Sequence, residues 1–325
     1  MSLRLLGALA VAFSLVACGS SDPEPAQAVE TRVFKADNGD ITVPKDPRRV
    51  VATGYAVPVL IEADAALVGI SSWQRGIPMM SAADKATYEK LAKIAGETAD
   101  STDYEKIALA RPDLIVIGVP KPVLGDIDLE RLEAIAPVVA IGPTLPSAWR
   151  ELSRRQSDAA GRSTNFDAAK TAYEQKVAKL KAKYAPVLRD VRFGHVGGYG
   201  EVAKGNFQHE FEGSWGTNVG TDIGMSYPGE VKKKGGGSLD VAEQTSIELL
   251  PESYADATAI TYTLEPDGSV GEAVRYVLAS PLWKSLPAVK AGKVFPVRFT
   301  QAATYESALL TLDSLDQTLA PWAAG

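Results

Sequence analysis

The side chains best suited to ligand chemistry are aromatic residues and arginines that follow predicted strands or lie in glycine-rich loops. The clearest example is the loop SSWQRG, in which Trp73 and Arg75 follow the second predicted strand. An aromatic face can cover apolar surface, and a guanidinium can donate several hydrogen bonds to oxygen atoms. These properties predict a binding site. The candidates are Tyr55, Trp73, Arg75, Tyr199, Trp215, Tyr227, Arg298 and Phe299.

The position of these residues along the chain supports the prediction. In open parallel sheets the ligand crevice lies beyond the carboxyl ends of the strands, so residues directly after strands are favoured. Packing in the core or exposure in a loop is the alternative for each candidate. Strand alternation, for example, would turn Arg298 and Phe299 to opposite faces. The three other tryptophans are predicted to pack: Trp149, Trp283 and Trp322.

The sequence contains little that suits covalent or metal chemistry. Two histidines and one cysteine in 325 residues are too few for a zinc or soft-metal cage. We find no nucleophile elbow, no histidine at recognisable spacing from a carboxylate and no cofactor-binding loop. His209, in the sequence QHEFE, and the lysine run 232–234 are predicted to lie in solvated loops. An enzyme that uses a carboxylate pair remains an alternative.

The single cysteine, Cys18, lies between an apolar segment and a polar one. Residues 5–17 are apolar or small and follow one basic residue, which predicts a signal peptide over 1–17. The sequence LVAC matches a bacterial lipobox, in which the cysteine sulfur is acylated and becomes the first mature residue. Residues 18–30 then predict a flexible, lipid-anchored tether, and the body is expected outside the cytosol on the membrane.

The remaining chain predicts two α/β lobes joined by one long helix. Short apolar runs at 49–54, 67–71, 114–118 and 138–142 alternate with helical patterns, which indicates a parallel sheet. A long helical pattern at 166–190 follows, with Pro186 expected to end or kink it. A second α/β set begins at residue 192. We therefore predict Rossmann-like lobes at 31–164 and 191–325, a linker at 165–190, and a ligand cleft between the lobes.

Several short segments, in this order along the chain, make a family resemblance specific. They are PRRVV at 47–51, DYEKI at 103–107, ARPDLI at 110–115, SIELL at 246–250, PLW at 281–283 and LPAVKAGKV at 286–294. Together they resemble the binding proteins of ABC importers for iron-siderophores and cobalamin, and particularly actinobacterial lipoproteins that bind desferrioxamines. The resemblance implies that the chain is not an enzyme and needs no cofactor. It also implies a monomer with a largely pre-formed cleft.

The resemblance further implies the ligand and the partner. Iron would enter only as a ferric siderophore, already wrapped by its chelator, so the protein would grip an organic shell without providing metal ligands. The net charge of −6 disfavours nucleic acid and modestly favours a neutral or cationic hydroxamate over a catecholate. Glu105 and Glu248 match the positions at which the family docks on arginines of the permease. Cobalamin or haem on the same fold, or a surface adhesin, are the alternatives.

Overall fold

The computed structural model describes residues 29–324, which form two five-stranded sheets and one hairpin. The hairpin pairs β1 (Thr31–Ala36) with β2 (Gly39–Pro44) in antiparallel fashion, and the sequence analysis did not predict it. The main-chain N–H of Asp37 in its turn donates a hydrogen bond of 2.8 Å to the carbonyl of Ala140. The hairpin is thereby attached to the N-terminal lobe.

The sheet of the N-terminal lobe is parallel throughout, with the strand order β5-β4-β3-β6-β7. Its strands are β3 (Val50–Gly54), β4 (Leu67–Ser71), β5 (Lys93–Ala95), β6 (Leu114–Gly118) and β7 (Val138–Ala140). The helices of this lobe are α1 (Ala56–Glu62), α2 (Ala82–Lys90), α3 (Tyr104–Ala110), α4 (Leu129–Glu133) and α5 (Trp149–Ala159). Every residue of β3 and β6 is buried, as expected for central strands covered on both faces. The predicted parallel α/β lobe is confirmed.

A single long helix, α6 (Ser163–Leu188), connects the lobes. At 1.5 Å per residue its 26 residues span about 39 Å. The helix begins at Ser163 and continues through Pro186 to Leu188, so Pro186 does not itself end the helix. Proline is tolerated at 186 because the helix ends two residues later, and the missing N–H costs only one hydrogen bond of the last turn.

The sheet of the C-terminal lobe has the order β10-β9-β8-β11-β12, with β9 antiparallel to both neighbours. Its strands are β8 (Phe193–Val196), β9 (Asn206–Glu210), β10 (Ala242–Ser246), β11 (Ala259–Thr263) and β12 (Val294–Val297). β9 includes residues 208–210 of the segment that was predicted to be a solvated loop. β10 ends at Ser246 before a 3-10 turn, Ile247–Leu249.

The last helix packs against the linker helix along its length. The helices of the C-terminal lobe are α7 (Asn218–Asp222), α8 (Leu250–Ser253), α9 (Glu272–Ala279), α10 (Pro281–Ser285), α11 (Pro287–Lys290) and α12 (Tyr305–Ala324). Leu180 and Tyr184 of α6 share a hydrophobic core with Leu312 of α12. The Tyr184 hydroxyl donates a 2.6 Å hydrogen bond to Asp316, which also pairs with Lys183 at 2.7 Å. The linker is therefore held as part of the C-terminal lobe.

Candidate ligand-binding cleft

A cavity of about 430 Å³ lies between the two lobes, at the carboxyl ends of strands from both sheets. Five of the eight predicted binding residues line it: Tyr55, Trp73, Arg75, Tyr199 and Trp215. They come from loops that follow β3, β4, β8 and β9. The crevice rule for parallel sheets thus located the cleft correctly. Contact of these side chains with a ligand remains a prediction.

The wall formed by the N-terminal lobe is a cluster of two aromatic rings and one guanidinium. Tyr55 and Trp73 meet edge to face with ring centroids 4.8 Å apart. The Arg75 guanidinium lies 4.9 Å from the Tyr55 ring and 4.1 Å from the Trp73 ring. It also pairs with Glu97 at 3.3 Å. Because Trp73 is only 3% exposed, it mainly supports Tyr55 and Arg75, which present the accessible surface.

Local backbone contacts explain why these side chains point into the cleft. Gly54 ends β3 with a φ of +59°, and the Tyr55 N–H donates a 2.9 Å hydrogen bond to the carbonyl of Gly118 on β6. This turn directs Tyr55 beyond the sheet edge. The Trp73 N–H donates a 2.9 Å hydrogen bond to the Tyr88 hydroxyl on α2, which fixes the loop after β4.

The C-terminal lobe provides the opposite wall through Trp215 and Tyr199. The Trp215 ring faces the Tyr55 ring of the other lobe with an interplanar angle of 8° and centroids 6.4 Å apart. Tyr199 is 53% exposed, an unusual state for a large aromatic side chain, and it borders the same cavity. Burial raises the pKa of Tyr55, so this side chain presents a neutral phenol to the cleft at physiological pH.

One end of the cleft is acidic. Glu62 of α1, Asp84 of α2 and Glu306 of α12 all line it, and the Glu306 N–H donates a 3.2 Å hydrogen bond to a Glu62 carboxylate oxygen. Burial raises the pKa of Glu62 to about 8. Burial and the neighbouring Asp84 carboxylate raise the pKa of Glu306 to about 7. Among the described residues that line the cleft, only Arg75 is basic, so the acidic groups outnumber the basic ones.

Three predicted binding residues lie outside the cleft. Tyr227 is 2% exposed and packs in the core of the C-terminal lobe, where its ring centroid is 5.7 Å from that of Phe193. Arg298 and Phe299 line a separate shallow depression. β12 ends at Val297, and Phe299 adopts a φ of +59°, so the chain turns away before these residues reach the cleft. The Arg298 guanidinium donates instead to the carbonyl of Pro266.

The QHEFE segment is buried, so the prediction of a solvated loop was wrong for it. Gln208, His209 and Glu210 belong to β9 and are 7%, 7% and 2% exposed. The error arose because the segment is polar, while its backbone pairs with strands on both sides. The lysine run 232–234 is exposed, as predicted. Both histidines are buried, and burial lowers the pKa of His195 to about 3 and of His209 to about 4.

Sequence reasoning missed the acidic end of the cleft and its floor. The floor includes Gln301, Thr304 and Ser307, which follow β12. Applying the crevice rule to every residue between β12 and α12 would have found Gln301 and Thr304, while Ser307 lies in the first turn of α12. Glu62 carried no such signal, because it ends an otherwise apolar helix in the sequence AVPVLIE. Its position beside Glu306, 244 residues away in the chain, is a consequence of tertiary packing alone.

The predicted docking and anchoring residues lie away from the cleft. Glu105 is exposed in the first turn of α3, and Glu248 is exposed in the turn before α8. Cys18, the signal peptide and most of the tether lie outside the described residues. Within residues 29–324 no helix is both long and apolar enough to cross a membrane. The same residues include no group of three or more His, Cys, Asp or Glu side chains that could hold a metal ion.

Two α/β lobes, one helical linker and a cleft between the lobes give this chain the fold of the two-lobe siderophore-binding proteins. A scan against protein-family models found no match. The chain is homologous to two iron(3+)-hydroxamate-binding proteins of Bacillus subtilis. It is 28% identical to YxeB over 295 residues, which cover 89% of this chain and 84% of YxeB. It is 27% identical to FhuD over 300 residues, which cover 89% of this chain and 87% of FhuD.

Solved structures support the same assignment. The siderophore periplasmic binding protein from the fuscachelin gene cluster of Thermobifida fusca superposes with a TM-score of 0.68 at 27% identity. The match covers 86% of this chain and 98% of that protein. SirA of Staphylococcus aureus, solved with staphyloferrin B, has a TM-score of 0.66 at 20% identity. This similarity shows that the two proteins share a fold. The homologues are binding proteins of ABC importers and not enzymes, in agreement with the sequence analysis.

Proposed function

We propose that this chain is an extracytoplasmic solute-binding lipoprotein that captures a ferric siderophore and delivers it to an ABC importer. The named ligands of its relatives support this proposal, since YxeB and FhuD bind iron(3+)-hydroxamates and the Thermobifida protein belongs to a siderophore gene cluster. The chain would act as a monomer, with no cofactor of its own. Iron would enter and leave as part of the ligand.

The observation that carries the proposal is the aromatic cleft between the lobes. Its volume of about 430 Å³ lies in the range of small-molecule sites. Tyr55 and Trp215 stack beside it, one from each lobe, and their exposed ring surfaces can pack on the apolar arms of a chelator. Arg75 can donate hydrogen bonds to the oxygen atoms around iron. Both histidines are buried away from the cavity, which suits a ligand whose iron is already fully coordinated.

The charges of the cleft favour a hydroxamate as the cargo. Asp84, joined by Glu306 and Glu62 as these lose their protons near pH 7 and 8, would repel a strongly anionic ferric catecholate. A ferric tris-hydroxamate is neutral at its core, and some hydroxamate siderophores have a pendant ammonium group. Such a group could lie near the three carboxylates. We therefore propose a neutral or cationic ferrioxamine-like ligand.

A tryptophan-fluorescence titration of the chain without residues 1–18 tests this proposal. The ligands are ferric desferrioxamine B, its N-acetylated form, iron-free desferrioxamine B, a ferric catecholate, haem and cobalamin. We expect saturable quenching by the ferric hydroxamates and much weaker binding of the iron-free chelator and the catecholate. The N-acetylated form lacks the ammonium and should bind more weakly than ferric desferrioxamine B. Saturation by haem or cobalamin alone would overturn the proposed cargo.

We also propose that Glu105 and Glu248 dock on the permease, one glutamate from each lobe. Both are exposed and could pair with arginines of a membrane partner. The double substitution Glu105→Lys and Glu248→Lys should abolish siderophore uptake by cells while leaving the affinity for the ligand unchanged.

A matched control for docking comes from two other exposed glutamates in first helical turns, Glu130 of α4 and Glu272 of α9. Reversing both of them to lysine changes the net charge equally, and uptake should continue. Normal uptake with the Glu105 and Glu248 reversals, or equal loss with the control pair, would contradict a specific docking role.

The proposed anchor is a lipid on Cys18. Cys18→Ala should release the protein from the membrane fraction and should abolish metabolic labelling with a fatty acid. Ser20→Ala, two residues away, is the control and should leave both properties unchanged. If the Cys18→Ala protein stays lipid-labelled and membrane-bound, the anchor lies elsewhere.

A further inference from the structure

Strand β9 places two buried polar side chains behind the aromatic wall of the C-terminal lobe, Gln208 and Glu210, and Gln208 also borders the cavity. Gln208 and Glu210 are two residues apart, so they project from the same face of the strand. His209, between them, points to the other face, where its ring lies 4.8 Å from that of Tyr254. A buried polar group lowers the stability of the fold unless it is hydrogen-bonded. The hydrogen-bond partners of Gln208 and Glu210 therefore indicate what these side chains do.

The partners are the two loops that present the aromatic residues of the cleft. The Gln208 side-chain oxygen accepts a 3.0 Å hydrogen bond from the N–H of Tyr199. A Glu210 carboxylate oxygen accepts a 2.7 Å hydrogen bond from the N–H of Gly216, directly after Trp215. Each side chain therefore holds the main chain at, or next to, an aromatic residue of the cleft wall.

The same loops pack closely on side chains of the sheet at two glycines, Gly197 and Gly216. A Cβ on Gly197 would lie 2.2 Å from the Gln208 side-chain oxygen and 2.4 Å from a Glu210 oxygen. A Cβ on Gly216 would lie 1.9 Å from Nε2 of His195. These distances are far below van der Waals contact. The loops thus rest directly on the side chains of the sheet, with no room to shift toward it.

His195, which supports Gly216 from below, is itself fixed. Its ring nitrogens lie 2.8 Å from the Thr261 hydroxyl and 3.1 Å from the Thr263 hydroxyl, and the residue is fully buried. The loop of Trp215 is therefore held by a hydrogen bond to Glu210 and by steric contact with the neighbouring His195, whose Nε2 lies 4.0 Å from a Glu210 carboxylate oxygen.

We infer that Gln208 and Glu210 are positioning residues that hold Tyr199 and Trp215 in the ligand-binding arrangement of the cleft. This inference rests on the proposed siderophore-binding function. Without the two side-chain acceptors, the loops keep their sequence and their aromatic residues but lose their fixed place on the sheet. The ligand must then order them when it binds, and affinity falls because that ordering costs free energy.

The test compares Glu210→Ala, Glu210→Gln and Gln208→Ala with the unaltered protein, using ferric desferrioxamine B as the ligand. We expect Glu210→Ala and Gln208→Ala each to weaken binding about tenfold. Glu210→Gln keeps an oxygen acceptor for the Gly216 N–H and should bind within about threefold of the unaltered protein. Thr245→Val is the control, because Thr245 is a buried polar residue of the neighbouring strand β10 outside the cleft.

A readout that needs no ligand separates this inference from the proposed function. Acrylamide quenching of Trp215, obtained by difference from matched Trp215→Phe proteins, should increase in Glu210→Ala and return to normal in Glu210→Gln. Thermal unfolding of every variant shows which of them are folded. If the unaltered protein binds no ferric siderophore, the proposed function fails, while the quenching result still decides the positioning role.

Unchanged affinity and unchanged Trp215 quenching in both alanine variants would overturn the inference. The inference would also fail if Glu210→Gln bound the ligand as weakly as Glu210→Ala and left Trp215 equally open to acrylamide. An equal loss of ligand affinity in Thr245→Val would also overturn the inference. The loss would then be a general response to altering a buried polar residue of the sheet.

Discussion

At the scale of single residues, the cleft combines aromatic faces with an uneven distribution of charge. Tyr55 and Trp215 come from different lobes, yet their ring planes lie within 8° of each other. The cavity they border ends at three carboxylates from α1, α2 and α12. In the proposed function, the aromatic pair would provide affinity for the organic shell of the ligand, and the carboxylates would select ligands by charge.

Removal of the Trp215 ring should weaken binding without unfolding the protein. Trp215→Ala should raise the Kd for ferric desferrioxamine B about tenfold, because one wall of the cleft loses its apolar face. Trp322→Ala, in a partly exposed tryptophan of α12 that packs on Phe295, should leave the Kd unchanged. Isothermal titration calorimetry measures both. Equal affinity in Trp215→Ala and the unaltered protein would show that this ring does not contact the ligand.

Glu62 should make the ligand-free protein less stable as the pH rises. Its pKa of about 8 in the folded protein exceeds the value of 4.5 expected when unfolded, so the folded state binds the proton more tightly. The stability that this provides is complete below pH 4.5 and is lost as the pH rises toward and through 8. Glu62→Gln should flatten this part of the dependence of the melting temperature on pH. If the melting temperature of Glu62→Gln fell with pH between 5 and 8.5 as steeply as that of the unaltered protein, Glu62 would not be the group responsible.

The same carboxyl groups should make affinity for a cationic ligand depend on pH. As the pH rises from 6 to 8.5, Glu62 and Glu306 ionise, while an alkyl ammonium keeps its charge. Binding of ferric desferrioxamine B should therefore strengthen over this range. Binding of the N-acetylated form should change much less. Titrations at three pH values measure both ligands, and parallel pH profiles would show that the carboxylates do not sense the ammonium.

At the scale of elements, the linker helix is the feature that separates this architecture from binding proteins with flexible hinges. The amphipathic pattern of α6 predicted a helix of nearly the observed length, because periodicity is a local property. Its packing on α12 makes it part of the C-terminal core. Bending the linker would break backbone hydrogen bonds and expose that core.

Leu180 should contribute to stability as a residue of this interface. It is 2% exposed and lies in the core shared by α6 and α12. Leu180→Ala should lower the free energy of unfolding by about 2–5 kcal/mol, because a buried leucine leaves a cavity when truncated. The exposed neighbour Lys181→Ala should change it by less than about 0.5 kcal/mol. Urea denaturation measures both, and a loss below 1 kcal/mol in Leu180→Ala would show that the two helices can repack.

At the scale of the whole molecule, a polar network connects the lobes on the side of the linker helix. Arg150 of α5 pairs with Asp222 of α7 at 2.5 Å, and the Tyr173 hydroxyl of α6 donates to the same carboxylate at 2.5 Å. Trp149 of α5 donates a 2.9 Å hydrogen bond to Asn218 of α7. Contacts of one lobe with the other and with the linker favour a cleft that is already formed before ligand binds.

The network should limit domain movement. Small-angle X-ray scattering of the unaltered protein should give radii of gyration that agree within error with and without ferric siderophore. Arg150→Ala should increase the radius of the free protein, because Asp222 then lacks its partner across the lobes. Arg154→Ala on the same helix is the control, since Arg154 pairs with Glu151 within α5 and not across the lobes. A clear contraction of the unaltered protein on binding would contradict a pre-formed cleft.

The sequence by itself determined the parts of this protein that depend on local pattern. Alternating apolar runs and helical periods were enough to predict two α/β lobes and a long linker, but not the antiparallel strand β9 of the second sheet. The crevice rule was enough to place Tyr55, Trp73 and Arg75 at the cleft. Each of these inferences uses neighbours within a few residues of the chain, where strand and helix geometry fix which way a side chain points.

Only the tertiary structure decided which other residues reach the cleft. Tyr227 follows the same glycine-rich pattern as Trp215 but is buried in the core, while Glu62 lies at the cleft although its surroundings in sequence are apolar. The polar strand that contains Gln208 and Glu210 is buried because two other strands pair with it. The direction and environment of such side chains depend on packing between segments far apart in the chain, and local periodicity does not encode that packing.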